Sequence, residues 1–475
     1  MNNVRSAAAM GDRLKLYSTL SRKIEPLETI EPGIVRMYIC GVTPYDNAHI
    51  GHAMSAIVFD TIRRYLEHRG YEVRHVVNFT DIDDKIIVRA QREGIAASEL
   101  TERLIADWHR EREALGVLPA TVYPRATQEI PAIVTMIEGL IERGYAYEAD
   151  GDVYFRVRAF EDYGKLSGRN VDDMVSGARI EIDERKEDPL DFALWKAAKP
   201  GEPTWPSPWS DGRPGWHIEC SAMCSHYLNG QVDIHGGGTD LIFPHHENEI
   251  AQSEAFLGVE PFSRYWMHNG MLQLGGDKMS KSIGNVIRIK DLIEGDQTQA
   301  FRLMVLQSHY RAPLTFSEES LEAAGRGLER LITAARPVEA SAGSGEVAGL
   351  ELAAQHASDE FHAAMNDDFN SPAAIAALFD LARTVNRARD AGASCDEIEL
   401  GRAKLVELAG VLGLDLESGP ESFGDAAPYI DLLVAVRDRL RAEKQWALTD
   451  LIRDQLAEKG IAIADGPSGS TWQKI

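Results

Sequence analysis

A parallel α/β fold, split by an insertion and followed by helices, is what this chain of 475 residues predicts. Three observations carry the reading. Val35 to Phe79 has a strand, turn, helix, strand pattern; the same texture returns from Trp216 to Phe256 after an interval rich in Gly, Asp and Pro; and from Ser317 onward the chain is mostly helical in pattern. This length exceeds what one hydrophobic core usually serves, so several domains are expected.

Val35 to Ile39 is an apolar, partly β-branched run that ends at Cys40-Gly41, with Pro44 and Asn47 following. Ile50 to Arg69 has helical periodicity and stops at Gly70, and Val73 to Phe79 is the next strand. The resulting βαβ unit ends in Thr80-Asp81-Ile82-Asp83-Asp84-Lys85, the kind of strand end where open parallel sheets hold ligands. Ser98 to Leu115 and Ile130 to Arg143 are predicted helices. Val153 to Val157 alternates like a strand, and Pro203-Thr204-Trp205-Pro206-Ser207-Pro208-Trp209 holds too much proline for a helix. The sheet is expected to resume with a helix from Trp216 to Tyr227, a strand from Val232 to His235 and a helix from Asn248 to Phe256.

These elements predict a Rossmann-type catalytic domain in two halves, 12–128 and 212–262, around a connective insertion at 129–211. A mobile-loop domain (263–316), a helical bundle (317–415) and a small C-terminal domain (429–475) are expected to follow. Ser341-Ala342-Gly343-Ser344-Gly345 is a credible linker within the helical region, and Leu416 to Pro428 is a second break.

The formal net charge of -24 excludes a surface coated in basic residues, so nucleic acid would have to engage local patches. Arg437, Arg439 and Arg441 offer one such row, or else an ordinary solvated helix face. Four cysteines are too few for a disulfide scaffold and fit a reducing compartment, the cytosol. No run of about 18 apolar residues occurs, so no membrane span is expected. Met1 to Tyr17 lacks the apolar core of a signal peptide and reads as a disordered tail.

Cys40, Cys220, His245 and Glu249 form a candidate Zn²⁺ ligand set. His245 and Glu249 stand four apart and would project from one helix face, and two thiolates with an imidazole and a carboxylate suit tetrahedral zinc better than magnesium or calcium. The alternative is that the cysteines are small buried hydrophobes and the histidine pair caps a helix. Cys224, one helical turn from Cys220, is a rival ligand.

His49-Ile50-Gly51-His52 opens the first helix, where backbone amides and the helix dipole favour phosphate; two imidazoles at i and i+3 add donors, and Gly51 lets a flat base approach. A capping or packing role would account for the same histidines. Lys278-Met279-Ser280-Lys281-Ser282, preceded by Gly275-Gly276 and followed by Gly284-Asn285, forms a charged loop with hinges suited to closing over a polyphosphate, or else an exposed basic turn.

Together, in this order and on either side of an insertion, the two motifs resemble the signatures of class I aminoacyl-tRNA synthetases. The blocks Cys40-Gly41-Val42-Thr43-Pro44-Tyr45-Asp46, Gly215-Trp216-His217-Ile218-Glu219-Cys220 and His235-Gly236-Gly237-Gly238-Thr239-Asp240 are similar to those of the cysteinyl-tRNA synthetase family. The likeness continues to Met365-Asn366-Asp367-Asp368-Phe369-Asn370 and the tail at Gly466 to Trp472.

The resemblance implies zinc on Cys40, Cys220, His245 and Glu249, ATP contacts from His49, Gly51 and His52, and mobile-loop cations at Lys278 and Lys281. It places Thr80 and Trp216, with Cys40, Gly41 and Thr43, at the cysteine substrate, and Gly237 and Asp240 at the nucleoside. Magnesium is implied with ATP, and L-cysteine and the tRNA for cysteine are the other partners of a chain expected to act as a monomer. Zinc would select the substrate thiol, and no editing activity is expected.

Two alternatives stand beside this. A related ligase of mycothiol synthesis joins cysteine to an amino sugar, but has no reason to carry the C-terminal helices. A non-catalytic zinc and nucleotide-binding module would not need the lysines and histidines intact.

Overall fold

The computed structural model describes residues 13–172, 185–275, 277–278, 287–337, 349–417, 427–457, 459–466 and 469–474. The chain divides into two compact units, Met1–Leu414 and Asp415–Ile475.

The first unit opens with a hairpin of strands β1 (Lys15–Ser18) and β2 (Lys23–Pro26), turned by Arg22 at φ 58°. Residues 15–17, expected in a disordered tail, are therefore ordered. Leu14 and Leu16 are buried, and the Tyr17 N–H donates to Asp368 at 2.8 Å. The βαβ unit follows as predicted, with β3 (Ile34–Val42), helix α1 (Ile50–His68) and β4 (Glu72–Phe79). Met37, Tyr38 and Ile39 are buried in succession, the mark of a strand covered on both faces. Helices α2 (Asp84–Glu93), α3 (Ala97–Ala114) and α4 (Ile130–Glu142) come next.

β5 (Ala146–Ala149), β6 (Asp152–Phe155) and β7 (Phe192–Ala197), within the interval 129–211 read as an insertion, and β8 (Gly212–Pro214), just past its end, make an antiparallel sheet in that order. The chain then returns through α5 (Trp216–Leu228), β9 (Val232–Gly238) and α6 (Glu247–Leu257) to β10 (Ser263–Asn269). The central sheet has the order β10-β9-β3-β4 and is parallel throughout.

α1 joins this sheet to the later helices. Its Asp60 is buried and pairs with Arg302 and Arg64, each at 2.8 Å, and the Arg302 guanidinium also donates to the carbonyls of Leu115 and Leu412. Arg302 lies in the helix Thr298–Leu306. Four further helices, Glu318–Ala335, Leu350–Asn366, Ser371–Asp390 and Cys395–Val411, pack around Leu331, Phe361, Leu378 and Leu405, all fully buried.

The second unit has helices Ala427–Ala442 and Trp446–Ala457 and a hairpin of Ile461–Gly466 with Gly469–Lys474, built on Ile430, Val434, Leu456 and Ile461. Arg437 is buried within it and pairs with Asp465 at 2.7 and 3.3 Å. It holds the unit together rather than forming a row with exposed Arg439 and Arg441. No helix among the described residues is long and apolar enough to cross a membrane.

Candidate active site

The carboxyl ends of β3, β4 and β9 and the start of α1 surround a cavity of about 410 Å³. Its wall includes Cys40, Gly41, Thr43, His49, Gly51, His52, Thr80, Trp216, Cys220, Asp240 and His245. The sequence-predicted residues thus gather from six separate segments. Gly237 is buried just behind, with its neighbour Gly238 on the wall. Gly41 has to be glycine: a Cβ there would stand 1.7 Å from the Asn78 carbonyl oxygen, while its N–H donates to Asn78 Oδ1 at 2.9 Å.

Cys40, Cys220, His245 and Glu249 bring one ligand atom each within 4.8 Å of one another. Cys40 Sγ lies 3.7 Å from Cys220 Sγ and 3.3 Å from Glu249 Oε1, and His245 Nε2 is 3.0 Å from Glu249 Oε1. Bonds of zinc to sulfur and to nitrogen or oxygen imply tetrahedral edges of roughly 3.3–3.8 Å, so the donor set fits zinc in type and spacing. His245 and Glu249 face one another four residues apart on a helical run: Phe243, extended at φ -139°, lies before it, and the wide turn Ile242–His246 leads without a break into α6. Cys224 stays outside the set, a buried thiol whose pKa burial raises well above its usual value. A second set, Cys40 with His235 and His246, shares one sulfur with the first, but lacks the second thiol that favours zinc.

Without metal, the cluster divides its protons unevenly. The bond with Cys40 lowers the Cys220 thiol to about 6, against the effect of burial, whereas burial raises the Cys40 thiol well above its usual range. Burial opposes charge on both His245 and Glu249. The Glu249 carboxylate and the bonds to Cys220 and Glu249 nevertheless raise His245 to about 10, and His235 and His245 hold Glu249 well below the carboxylate range.

Outer partners fix these side chains. Trp216 stacks on His245 at 4.4 Å, His217 Nδ1 meets His245 Nδ1 at 3.0 Å, and His235 Nε2 meets Glu249 Oε2 at 2.9 Å. His246 in turn bonds to His268 at 2.8 Å. Sequence reasoning missed the role of His217, although His217 and Cys220 stand three apart on a helix and so share a face. Nothing in the sequence pairs His246, at the end of the turn before α6, with His268 on β10.

The phosphate-handling motifs are less completely displayed. His49 caps α1: its Nδ1 accepts from the Gly51 N–H at 3.1 Å, and His52 Nδ1 accepts from the His49 N–H at 3.2 Å, with the two rings stacked at 3.8 Å. The capping alternative is thus realised, on residues that also line the cavity. Lys278 lies in the short strand Asp277–Lys278, paired with Gln273, and Lys281 falls outside the described residues. The flanks of that loop do return to the site. Met271 and Leu272 line the cavity before it, and after it the Ile50 N–H donates to the Ile287 carbonyl at 3.1 Å.

Comparison with known proteins settles the family. A profile described as "tRNA synthetases class I (C) catalytic domain" matches residues 26–326, and one described as "DALR domain" matches 360–417. A cysteine–tRNA ligase of Dehalococcoides mccartyi strain 195 is 52% identical over 461 residues, covering 97% of this chain and 99% of its own. The chain belongs to the cysteine–tRNA ligase family. A cysteine–tRNA ligase of Alkalilimnicola ehrlichii is likewise 52% identical over 473 residues, covering 97% of this chain and 100% of its own. These cysteine–tRNA ligases give no support to the amino-sugar alternative.

The solved structures add the fold. Mycobacterium tuberculosis methionyl-tRNA synthetase in complex with methionyl-adenylate has a TM-score of 0.58 at 18% identity, over 84% of this chain and 94% of its own. The protein is thus a class I aminoacyl-tRNA synthetase and a ligase, whose substrates are an amino acid, ATP and tRNA.

Proposed function

We propose that the protein activates L-cysteine with ATP and transfers it to the 3′ end of the tRNA for cysteine, choosing the amino acid by its thiol. In the first step a cysteine carboxylate oxygen bonds to the α-phosphorus of ATP, the α–β anhydride bond breaks and pyrophosphate leaves. In the second a terminal ribose hydroxyl oxygen bonds to the carbonyl carbon, the acyl bond to AMP breaks, and the hydroxyl proton passes to the departing phosphate. No protein nucleophile is needed. Catalysis rests on alignment and on charge stabilisation.

The residues divide the work. The amide-rich start of α1, with Gly51 and the imidazoles of His49 and His52, orients the phosphates, and Lys278 and Lys281 add positive charge as pyrophosphate develops. Gly237 and Asp240 serve the nucleoside, and Mg²⁺ accompanies ATP. Gly41, Thr43, Thr80 and Trp216 seat the amino acid beside the metal ligands. Cys40, Cys220, His245 and Glu249 hold one Zn²⁺, which when bound supplies a soft Lewis-acid centre that suits a thiolate and not a serine hydroxyl.

A single observation supports this reading above others: two thiols, an imidazole and a carboxylate converge beside the cavity that the α1 start also lines. The same division gives a role to each proposed domain, with the Rossmann halves binding substrates, the loop domain closing, and the bundle and C-terminal domain engaging the tRNA. We assign the protein to the cytosol as a monomer, without an editing step. A site that bonds one substrate group can reject an analogue lacking it by roughly 10⁴ to 10⁵.

ATP–pyrophosphate exchange with cysteine and with serine tests the proposal. Cysteine should support exchange, and serine should fall short by about 10⁴ on that scale; comparable rates would refute it. Lys281→Ala should depress exchange with the fold preserved, and unchanged exchange would favour a non-catalytic module.

A further inference from the structure

The insertion between the two halves of the sheet does more than connect them: its chain between β6 and β7 grips the stretch that carries two of the metal ligands. Glu247, the first residue of α6, is buried, and its carboxylate accepts three backbone N–H groups from that chain. Gly164 and Leu166 donate to Oε1 at 3.0 and 3.3 Å, and Ser167 donates to Oε2 at 2.8 Å. The next residue, Asn248, accepts from the Tyr163 hydroxyl. Further along α6, Glu254 pairs with Lys165 at 2.6 Å, and the same ammonium reaches Glu260 at 2.7 Å. Ahead of the helix, the Phe243 ring centre lies 4.2 Å from the Arg169 guanidinium, and the ring packs against the core that Phe155 and Trp195 share.

Grip and metal ligands fall on opposite sides of one short stretch. Successive helical residues turn by about 100°, so Glu247 and Glu254, seven apart, share a face, and Glu249 projects about 200° round from Glu247. His245 and Glu249 meet at 3.0 Å on the metal side. The gripping chain is itself closed. Gly168 donates its N–H to the Gly164 carbonyl at 2.7 Å, and Gly164 sits at φ 103°, where a Cβ would stand 2.0 Å from the Arg169 carbonyl oxygen. Hydrogen bonds to an ionised carboxylate are roughly twice as strong as neutral ones, so three of them fix the start of α6 firmly. A donor set serves a metal only as well as its ligands are held in place.

We infer that segment 163–169 of the insertion positions His245 and Glu249 for the metal, with Glu247 as the positioning residue through which it acts. The inference rests on the zinc reading proposed above. It gives the insertion a part in selecting the thiol, exerted through the ligands rather than on the substrate.

Two measurements on the full-length enzyme read ligation without catalysis: zinc competition against a chromophoric chelator, and a cobalt titration followed by visible absorbance. Glu247→Ala should weaken both metals about tenfold, and Glu247→Gln, which keeps one oxygen acceptor, should lose less. Gly164→Ala changes only the gripping chain and should act in the same direction. Lys165→Met loosens that chain at Glu254, beyond the ligand-bearing turn, and should lower the urea midpoint while zinc affinity stays within twofold. Cysteine-dependent exchange that Glu247→Ala loses at limiting zinc should return when free zinc is raised about tenfold, in proportion to the weakened affinity. The inference is overturned if either folded Glu247→Ala or folded Gly164→Ala holds zinc as the wild type does. It is equally overturned if Lys165→Met weakens zinc as much as Glu247→Ala, or if excess zinc fails to restore exchange. A wild type that binds no zinc would instead defeat the zinc reading.

Discussion

Two clusters of buried polar groups, one around Asp60 and one around Cys40, differ in how far their members satisfy one another. Around Asp60 every group is answered. The carboxylate accepts from Arg302, Arg64 and the Leu118 N–H, and Arg302 spends its remaining donors on the Leu115 and Leu412 carbonyls. Burial opposes the Asp60 charge, but the two arginines still hold its pKa below the usual carboxylate value. At Cys40, Cys220, His245 and Glu249 two sulfurs face each other at 3.7 Å and a carboxylate faces a thiol; the bond from Cys40 lowers the Cys220 thiol, while burial raises that of Cys40. A completed network is scaffold. A convergence of two thiols, an imidazole and a carboxylate is the arrangement proposed above to hold a cation.

That contrast is open to experiment, beginning with the largest effect. Cys220→Ala should abolish stoichiometric zinc and cut cysteine-dependent exchange by about 10³-fold or more, with a circular dichroism spectrum like that of the wild type. Retention of zinc and activity would erase the distinction. Asp60→Ala should do the reverse. It strands the Arg302 charge in the core, which should cost about 3–5 kcal/mol in urea unfolding, while metal content stays at one per folded chain.

A smaller effect probes an incomplete group of a third kind. Glu111 in α3 is buried with Oε2 unpartnered, and burial, then the nearby Asp107 charge, raises its pKa to about 7. Its folded pKa lies above the ordinary 4.5, so the native state binds the proton more tightly, and stability declines as pH rises from about 4.5 to 7. Glu111→Gln should therefore raise stability at pH 8 by about 1–2 kcal/mol and have little effect at pH 4. An equal gain at both pH values would contradict the assignment. The smallest effect belongs to the second unit, where Arg441 pairs with Asp465 at 2.6 Å on the surface. Arg441→Ala should change stability by less than about 1 kcal/mol, readable as a small shift in the urea midpoint, whereas Arg437→Ala should cost more because that partner of Asp465 is buried.

How much of this was legible in the sequence follows the same divide. The βαβ unit declares itself because Val35 to Ile39 and Val73 to Phe79 are apolar runs punctuated by glycine, and the metal candidates because thiol, imidazole and carboxylate are rare enough to notice. β10 was not anticipated. Ser263, His268 and Asn269 break its apolar pattern, and each is buried only because it finds a partner within or beyond the strand: the Tyr265 carbonyl, His246 and Ser55. The hairpin at Lys15–Pro26 was missed because its strands are four residues each and owe their order to Asp368, far along the chain. The helical run carrying His245 and Glu249 opens in a wide turn, and four-residue spacing cannot reveal that Phe243, just before it, is extended. Asp60 and Arg302 lie 242 residues apart, and no local pattern announces a pair of that span.

The central claim is that thiol selection depends on a bound cation held by Cys40, Cys220, His245 and Glu249. The most direct measurement is metal content by mass spectrometry alongside cysteine-dependent ATP–pyrophosphate exchange, before chelation, after it, and after zinc is restored. The account predicts one zinc per chain, loss of exchange when it is removed and recovery when it is returned. Full exchange in protein stripped of metal would contradict it.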